Sequence, residues 1–478
     1  MENKKEKFYI TTTLPYVNAK PHIGFALEII QADVIARWQK AQGSDIFFNT
    51  GTDEHGLKIY RKAQEEGKDA QTYTDEYATK FKNLIPALGI LPEIHFIRTT
   101  DEHHIKAAQE FWKRCEASGD IYKKNYSVKY CVGCELEKTE SELVEGKCPV
   151  HPNLELESIE EENYFFRFSN YQDRLLDLYK NNPEFVKPEW RLKEISNFVA
   201  SGLEDFSISR LKEKMPWGVP VPGDSDHVMY VWFDALINYI STLQWPDEDR
   251  DYKNFWPGMQ VAGKDNLRQQ SAMWQAMLMS AGLPNSKQIL IHGFINSGGQ
   301  KMSKSLGNVI DPFELIEKYG TDALRYYLLS EITPFEDGDF TMEKFENRYN
   351  ADLANGLGNL VSRVSNMLEK DNIEINLKLN SDISLKEKIA EEMKNYQFNT
   401  ALNILWAILR ADDEILSSKK PWEEKNLDKK GLMLEPVAQD ILNVALLLQP
   451  FLSETSEKII KQFSEKQVKK SKGLFPRV

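Results

Sequence analysis

The spacing of apolar positions changes period several times along the first 120 residues. FYITTTLP, at 8–15, is a short β-prone run. Leu27, Ile30, Val34 and Trp38 then recur on one face of a helical period, with Gly43 placed to stop the helix. SDIFFNTGTDEHG, at 44–56, reads as a second strand ending in a glycine-rich acidic turn. EIHFIRTTD and the helical DEHHIKAAQEFWKRCEASG form a further strand–helix pair. This alternation predicts a parallel sheet, whose ligands sit at the carboxyl ends of the strands.

From Gly119 to His227 the pattern breaks into a cysteine-bearing hairpin-like stretch, the acidic IEEEN and the proline-punctuated MPWGVPVPGDSD, which together read as an insertion. Alternation resumes with HVMYVWFDALINYI, MQVAGKDNL, a helix through WQAMLMSAGL and the strand KQILIHGFI. Beyond Glu331 a mixed linker leads to helical patterns alone, in NGLGNLVSRVSNML, ALNILWAILRADDEIL and VAQDILNVALLLQPFL. The expected organisation is therefore a first half-domain at 1–118, an insertion at 119–227, a second half-domain at 228–330, a linker at 331–355 and a helical domain at 356–478. No internal repeat is visible.

A chain of 478 residues exceeds one ordinary core, which implies two to four structural units. With 41% hydrophobic and 28% charged residues it falls among soluble globular proteins. It shows neither an unbroken apolar run long enough to span a bilayer nor a signal-peptide h-region at its N-terminus, so a cytoplasmic protein without a membrane partner is expected. The net charge of −13 disfavours a protein that coats nucleic acid by bulk electrostatics. The last stretch, KIIKQFSEKQVKKSKGLFPRV, nevertheless holds seven basic residues and one acidic, so any such contact should be local.

Three of the four cysteines cluster. CVGC and CPVH supply Cys131, Cys134, Cys148 and His151, two ligand pairs with 13 residues between them. Soft thiolates and an imidazole in that spacing suit tetrahedral zinc, and four protein ligands leave no open position, so the ion should be structural. In INSGGQKMSKSLGN, at 295–308, Lys301 and Lys304 lie three apart in a glycine- and serine-rich loop after a predicted strand. Mobile point charges of this kind can neutralise phosphate oxygens.

His22, heading the first predicted helix, and KMSKS, following the last predicted strand, together resemble the paired motifs of class I aminoacyl-tRNA synthetases. TTTLPYVNAKPHIG, NTGTDEHG, the cysteine pairs, MYVWFDA, AGKDNLR, HGFINSGGQKMSKSLGNVIDP and LGNLVSR, in that order, are similar to the methionyl-tRNA synthetase family along nearly the whole chain. The resemblance implies an α/β fold: a Rossmann-type parallel-sheet catalytic domain with a zinc-knuckle insertion, followed by an α-helical bundle that binds the anticodon. It also implies a methionine–tRNA ligase. Methionine would attack the α-phosphorus of ATP, releasing pyrophosphate, and pass from the adenylate to the terminal adenosine of tRNA(Met).

Residue by residue, the resemblance places His22, Gly24, Phe25, Asp265, Lys301 and Lys304 on ATP, with His22 and the two lysines catalytic. Leu14, Tyr16, Asp53, Trp232, Tyr239 and Gln270 would hold methionine, Asp53 receiving its ammonium. Asn359, Arg363 and Trp422 would read the anticodon. Mg²⁺ would accompany ATP, held chiefly through phosphates and water. The chain departs from the family at Phe25, where a second histidine is usual, at Gln269 and Gln270, where an aromatic–histidine pair is usual, and at Leu236, where proline is frequent.

Other readings fit less well. Synthetases for leucine, isoleucine or valine generally carry a larger editing insertion than 119–227, and a cysteinyl enzyme grips its substrate with zinc. A small-molecule nucleotidyltransferase leaves the helical tail unexplained. A zinc-bearing nucleic-acid module leaves KMSKS and GTDEHG without a role. A monomer is expected.

Overall fold

The computed structural model describes residues 5–134, 136–138, 142–247, 250–302, 307–379 and 382–477. By contacts the chain forms two units, one of 1–20, 44–83 and 93–291, the other of 21–43, 84–92 and 292–478.

The first unit is built on a six-stranded sheet of β1 (Lys7–Thr12), β2 (Asp45–Thr52), β3 (His95–Arg98), β4 (Val186–Lys187), β5 (Met259–Gly263) and β6 (Gln288–His292), in the order β3-β2-β1-β5-β6-β4. The pairs β1–β2, β2–β3, β1–β5 and β6–β4 are parallel. Without its edge strand β4 this is the order of a doubly wound Rossmann sheet, which binds ligands where the order reverses, at the carboxyl ends of β1 and β5. Strand β5 is buried at every position, as a parallel sheet requires. Gly51 on β2 is fixed by close approach: a Cβ there would lie 1.9 Å from the Ile97 carbonyl oxygen of β3.

Helix α2 (Glu102–Ala117) buries His104, Ala107, Ala108, Phe111, Trp112 and Cys115, a helical stripe. Phe111 stacks on Trp274 and meets Phe233 and Trp245 edge-on, with centroids 5.6–5.9 Å apart. Burial pushes the Cys115 thiol up to about 12, so the cysteine outside the cluster is an inert core residue.

The segment read as an insertion pairs Ile121–Cys131 with Glu157–Phe166 in a four-stranded sheet. Two features depart from expectation. Strand β4 lies inside that segment yet pairs with β6, and the HVM of HVMYVWFDALINYI, read as resumed alternation, belongs to the strand Asp224–Met229 of a small antiparallel sheet instead. A buried strand reads alike in either sheet, because the apolar pattern records burial and not the pairing partner.

In the second unit, α1 (Ile23–Ala41) and the segment 84–92 are held by one buried guanidinium. Arg325, on α3 (Thr321–Ser330), donates from Nη2 to Asp33 Oδ2 (2.7 Å), from Nη1 to the Leu88 carbonyl (3.1 Å) and from Nε to the Phe451 carbonyl (2.7 Å). Removing one partner of such a fully buried pair typically costs about 3–5 kcal/mol. A small sheet of β7 (Ile295–Ser297), β8 (Gln300–Lys301) and β9 (Gly338–Phe340) follows β6 in the chain.

The remainder is helical: α4 (Asn359–Lys370), α5 (Ile383–Lys394), α6 (Phe398–Lys419), α7 (Leu427–Leu448) and α8 (Ser453–Phe463). The expected linker 331–355 is ordered. It contains β9, the helix Met342–Arg348 and a π-helical Tyr349–Gly358 that runs directly into α4. Helix α7 is long and apolar enough to cross a membrane, but it buries a continuous stripe that includes Ile441, Leu442, Val444 and Leu448, as a bundle's central helix does.

Candidate active site and metal centre

At the start of α1, His22 is the N-cap, with extended backbone, and its Nδ1 accepts the Gly24 N–H at 3.0 Å. An accepting Nδ1 puts the proton of the neutral ring on Nε2. Burial lowers the His22 pKa, which keeps the ring in that state. Gly24 is required by the same ring, since a Cβ there would lie 2.8 Å from Cε1 and 2.9 Å from Nδ1. Phe25, beside it, is buried.

The same unit brings the lysine loop to this helix. The Ile23 N–H donates to the Ile310 carbonyl (3.2 Å), and His292 Nε2 lies 2.9 Å from Glu28 Oε2 of α1. Gly298 and Gly299, with φ of 60° and 75°, form the two-residue turn between β7 and β8, a geometry other residues rarely adopt. The turn is anchored by Gly299 N–H to Asp339 Oδ1 (2.6 Å) and Gly298 N–H to the Phe340 carbonyl (3.1 Å). It presents Lys301, exposed, with its ammonium 5.2 Å from the Phe294 ring centre. Lys304 lies outside the described residues.

In the first unit, the segments after β1 and β2 are bridged. Asp53 N–H donates to the Pro15 carbonyl (3.0 Å) and Val17 N–H to the Asp53 carbonyl (3.2 Å), which sets half-buried Leu14 and Tyr16 beside the buried Asp53. Tyr16 and Trp232 pack on one small cluster with Tyr130, Tyr230 and Val231. The Trp232 indole N–H is buried without a partner among the described residues. Tyr239 is buried in the main core, T-shaped against Trp274, and its hydroxyl accepts from Gln270 Nε2 at 2.7 Å. Asp265 is exposed at the carboxyl end of β5.

Two buried carboxylates that sequence reasoning did not single out hold these segments. Asp234, next but one to Trp232, takes His55 Nδ1 on Oδ2 (2.6 Å) and His104 Nε2 on Oδ1 (2.9 Å). Burial would raise the Asp234 pKa, but the His55 charge and the hydrogen bonds of both rings outweigh it and hold the carboxylate at about 2. Glu54, also buried, receives Arg98 on both oxygens (2.7 and 2.8 Å) and the Thr52 and Thr100 hydroxyls (2.6 Å each). Ionisable residues inside otherwise apolar stretches, such as the Asp of VWFDA, were the available signal.

The four candidate metal ligands converge. The ligand atoms of Cys131, Cys134, Cys148 and His151 all lie within 4.8 Å of one another, with Cys134 Sγ 3.5 Å from Cys148 Sγ and 3.2 Å from His151 Nδ1. A tetrahedron of ~2.3 Å zinc–sulfur bonds has edges of about 3.8 Å, so the donor set fits zinc. Gly133 makes the approach possible, because a Cβ there would lie 2.6 Å from the His151 ring. Lys58 Nζ ties the knuckle to the Asp53 side by donating to the Gly133 carbonyl (3.0 Å).

In the helical region, Asn359 and Arg363 lie one turn apart on α4. Arg363 pairs with Asp413, and its guanidinium sits 5.4 Å from the ring centre of Trp422, which is 46% exposed. The basic C-terminal stretch lines a cavity of about 660 Å³ with Lys458, Lys461, Lys469, Lys470 and Lys472.

Comparison with known proteins agrees with this geometry. A family model described as tRNA synthetases class I (M) matches residues 8–158 and 153–365. The chain is 42% identical to the methionine–tRNA ligase of Thermotoga maritima, over 96% of this chain and 75% of that one. It is 41% identical to the Brucella suis enzyme of the same description, over 95% and 91%. A solved Mycobacterium tuberculosis methionyl-tRNA synthetase in complex with methionyl-adenylate superposes with a TM-score of 0.92, at 36% identity, over 99% of this chain and all of that one.

Proposed function

We propose, on the premise that this chain belongs to the methionyl-tRNA synthetases of class I, that the His22 cap and the Lys301 hairpin handle the phosphates of ATP. The chain is a methionine–tRNA ligase: it activates L-methionine with ATP to methionyl-adenylate and pyrophosphate, then transfers the methionyl group to the 3′-terminal adenosine of tRNA(Met). The observation that carries the residue assignment is the His22–Gly24 pair. It leaves a neutral imidazole, held at the N-terminus of α1, with Nε2–H as its donor.

No protein nucleophile is needed, because the methionine carboxylate itself attacks the α-phosphorus. Rate acceleration then comes from positioning and from charge stabilisation on the departing pyrophosphate. His22 Nε2–H and the α1 N-terminus bind phosphate oxygens, Lys301 and Lys304 neutralise the pyrophosphate, and Asp265 and Phe25 contact the nucleoside. Mg²⁺ would enter with ATP and supply further neutralisation of phosphate charge. Asp53 receives the methionine ammonium, while Leu14, Tyr16, Trp232, Tyr239 and Gln270 enclose its side chain. Cys131, Cys134, Cys148 and His151 would hold one zinc ion, which when bound supplies a cross-link within the insertion and no open coordination position.

The Arg363–Trp422 pair supports an anticodon-reading role with Asn359, since unstacked bases are held by aromatic rings, guanidinium planes and edge hydrogen bonds. The lysine-lined cavity supports a phosphate-backbone contact on an otherwise acidic chain. A cytoplasmic monomer with boundaries at 118, 227, 330 and 355 completes the reading.

The test is ATP-dependent attachment of labelled methionine to a tRNA with a CAU anticodon. Charging of that tRNA, and not of one with an altered anticodon, is expected; no charging by folded, zinc-loaded protein would overturn the reading.

A further inference from the structure

Lys301 sits on the edge strand of its small sheet. Strand β8 pairs only with β7, at Asn296↔Lys301 and Ser297↔Gln300, while β7 runs parallel to β9 with Asn296 opposite Asp339. The place of Lys301 therefore depends on the turn that joins β7 to β8. That turn is Gly298–Gly299, two exposed residues of the type with the greatest backbone freedom, so nothing in its own sequence holds it still.

Its rigidity comes from β9. The Gly298 N–H donates to the Phe340 carbonyl and the Gly299 N–H to Asp339 Oδ1 (2.6 Å), while Asp339 Oδ2 accepts from Lys344 Nζ at 3.2 Å. Strand β9 is itself fixed. Phe340 is buried and meets the Tyr327 ring edge-on at 5.3 Å, the Tyr327 hydroxyl donates to the Asp339 carbonyl (3.3 Å), and a Cβ on Gly338 would lie 2.6 Å from Ile332. With both turn amides occupied, the turn does not cradle phosphate through its backbone as the free N–H groups of a nest do, and that task falls to the lysine side chains. The Lys344 ammonium offsets the Asp339 charge, so this acceptor adds little net repulsion toward a polyanion.

The geometry points to Asp339 as a positioning residue for adenylation: its carboxylate pins the Gly299 amide and so holds the Lys301 hairpin where the ammonium meets the departing pyrophosphate. The inference rests on the reading that Lys301 neutralises that pyrophosphate. Asp339 acts through the turn and not on the reacting atoms. A hydrogen bond to an ionised acceptor is stronger than one between neutral groups, and here it opposes the freedom of a glycine pair. Pyrophosphate leaves after the first step. Asp339 therefore matters for adenylate formation and not for the passage of methionine from the adenylate to tRNA, whereas a residue needed only for folding would affect both.

The test measures both steps in Asp339→Ala and Asp339→Asn, each shown to be folded by a thermal melt. Asp339→Ala should lower the kcat of methionine-dependent ATP–pyrophosphate exchange about 10-fold or more, the loss expected for one hydrogen bond to a charged acceptor, with the KM for methionine unchanged. Its rate of methionine transfer from preformed adenylate to tRNA should match the wild type. Asp339→Asn should restore exchange to within about 3-fold, because the amide oxygen still accepts the Gly299 N–H and the exposed Lys344 can turn into solvent. A folded Asp339→Ala protein with wild-type exchange, one that loses exchange and transfer equally, or an asparagine variant as impaired as the alanine variant would each overturn the inference. Absence of any methionine-dependent exchange in the wild type would instead overturn the function on which it rests.

Discussion

The Nδ1 atom of His22 accepts the Gly24 N–H at 3.0 Å, and the imidazole occupies the volume that any side chain at residue 24 would need. Cap and glycine are one device: the missing Cβ gives the ring its place, and the Nδ1 contact orients its remaining N–H. Gly24→Ala should therefore displace the ring without disturbing the helix, which favours alanine. The expected loss in adenylation rate is about 10²-fold or more, comparable to removing a preorganised donor, with the melting temperature little changed. Single-turnover adenylate formation, read beside a thermal melt, checks both halves.

Asp234 gives an acid-sensitivity prediction. Its pKa in the folded protein, about 2, lies below the ordinary 3.8, so the group's contribution to stability is present above about pH 4 and is lost as pH falls through 4 towards 2. Asp234→Asn should cost on the order of 2 kcal/mol at neutral pH and flatten the acid limb of the stability curve. Urea unfolding between pH 3 and 7 measures it. The KM for methionine should rise as well, because the carboxylate joins the His55 turn to the helix that carries Trp232.

Metal content is tested directly. Purified protein should carry about one zinc per chain by elemental analysis, and Cys148→Ser should lower that content and the melting temperature together. Full zinc occupancy with Cys148 replaced would contradict the four-ligand set.

Arg363→Ala separates the two halves of the reaction. Methionine activation should be unchanged, while the KM for tRNA rises by roughly 5- to 100-fold, the range expected for about 1–3 kcal/mol of stacking on one base. Equal loss of both activities would place Arg363 in the fold, through its pair with Asp413, and not in recognition.

What could be read from sequence was local. The two cysteine pairs lie close together in the chain, so their spacing reveals them, whereas KPHIG and the lysine loop stand out through their resemblance to a family, each motif being short and continuous. The His55–Asp234 contact spans 179 residues and the Arg325–Asp33 pair 292, and no period or motif marks a hydrogen bond set by tertiary packing. Gln270 was visible as a departure from the family, but its partners were not. Strand β4 was missed because two residues, buried Val186 and half-buried Lys187, carry too little pattern to announce a sheet edge.

The most direct measurement of the central claim is amino-acid-dependent ATP–pyrophosphate exchange with methionine, isoleucine, leucine and cysteine in parallel, for the wild type and for His22→Ala. Exchange that depends on methionine alone and falls about 10²-fold or more in the variant is the expected result. Equal exchange with another of these amino acids, or an undiminished rate without His22, would contradict the account.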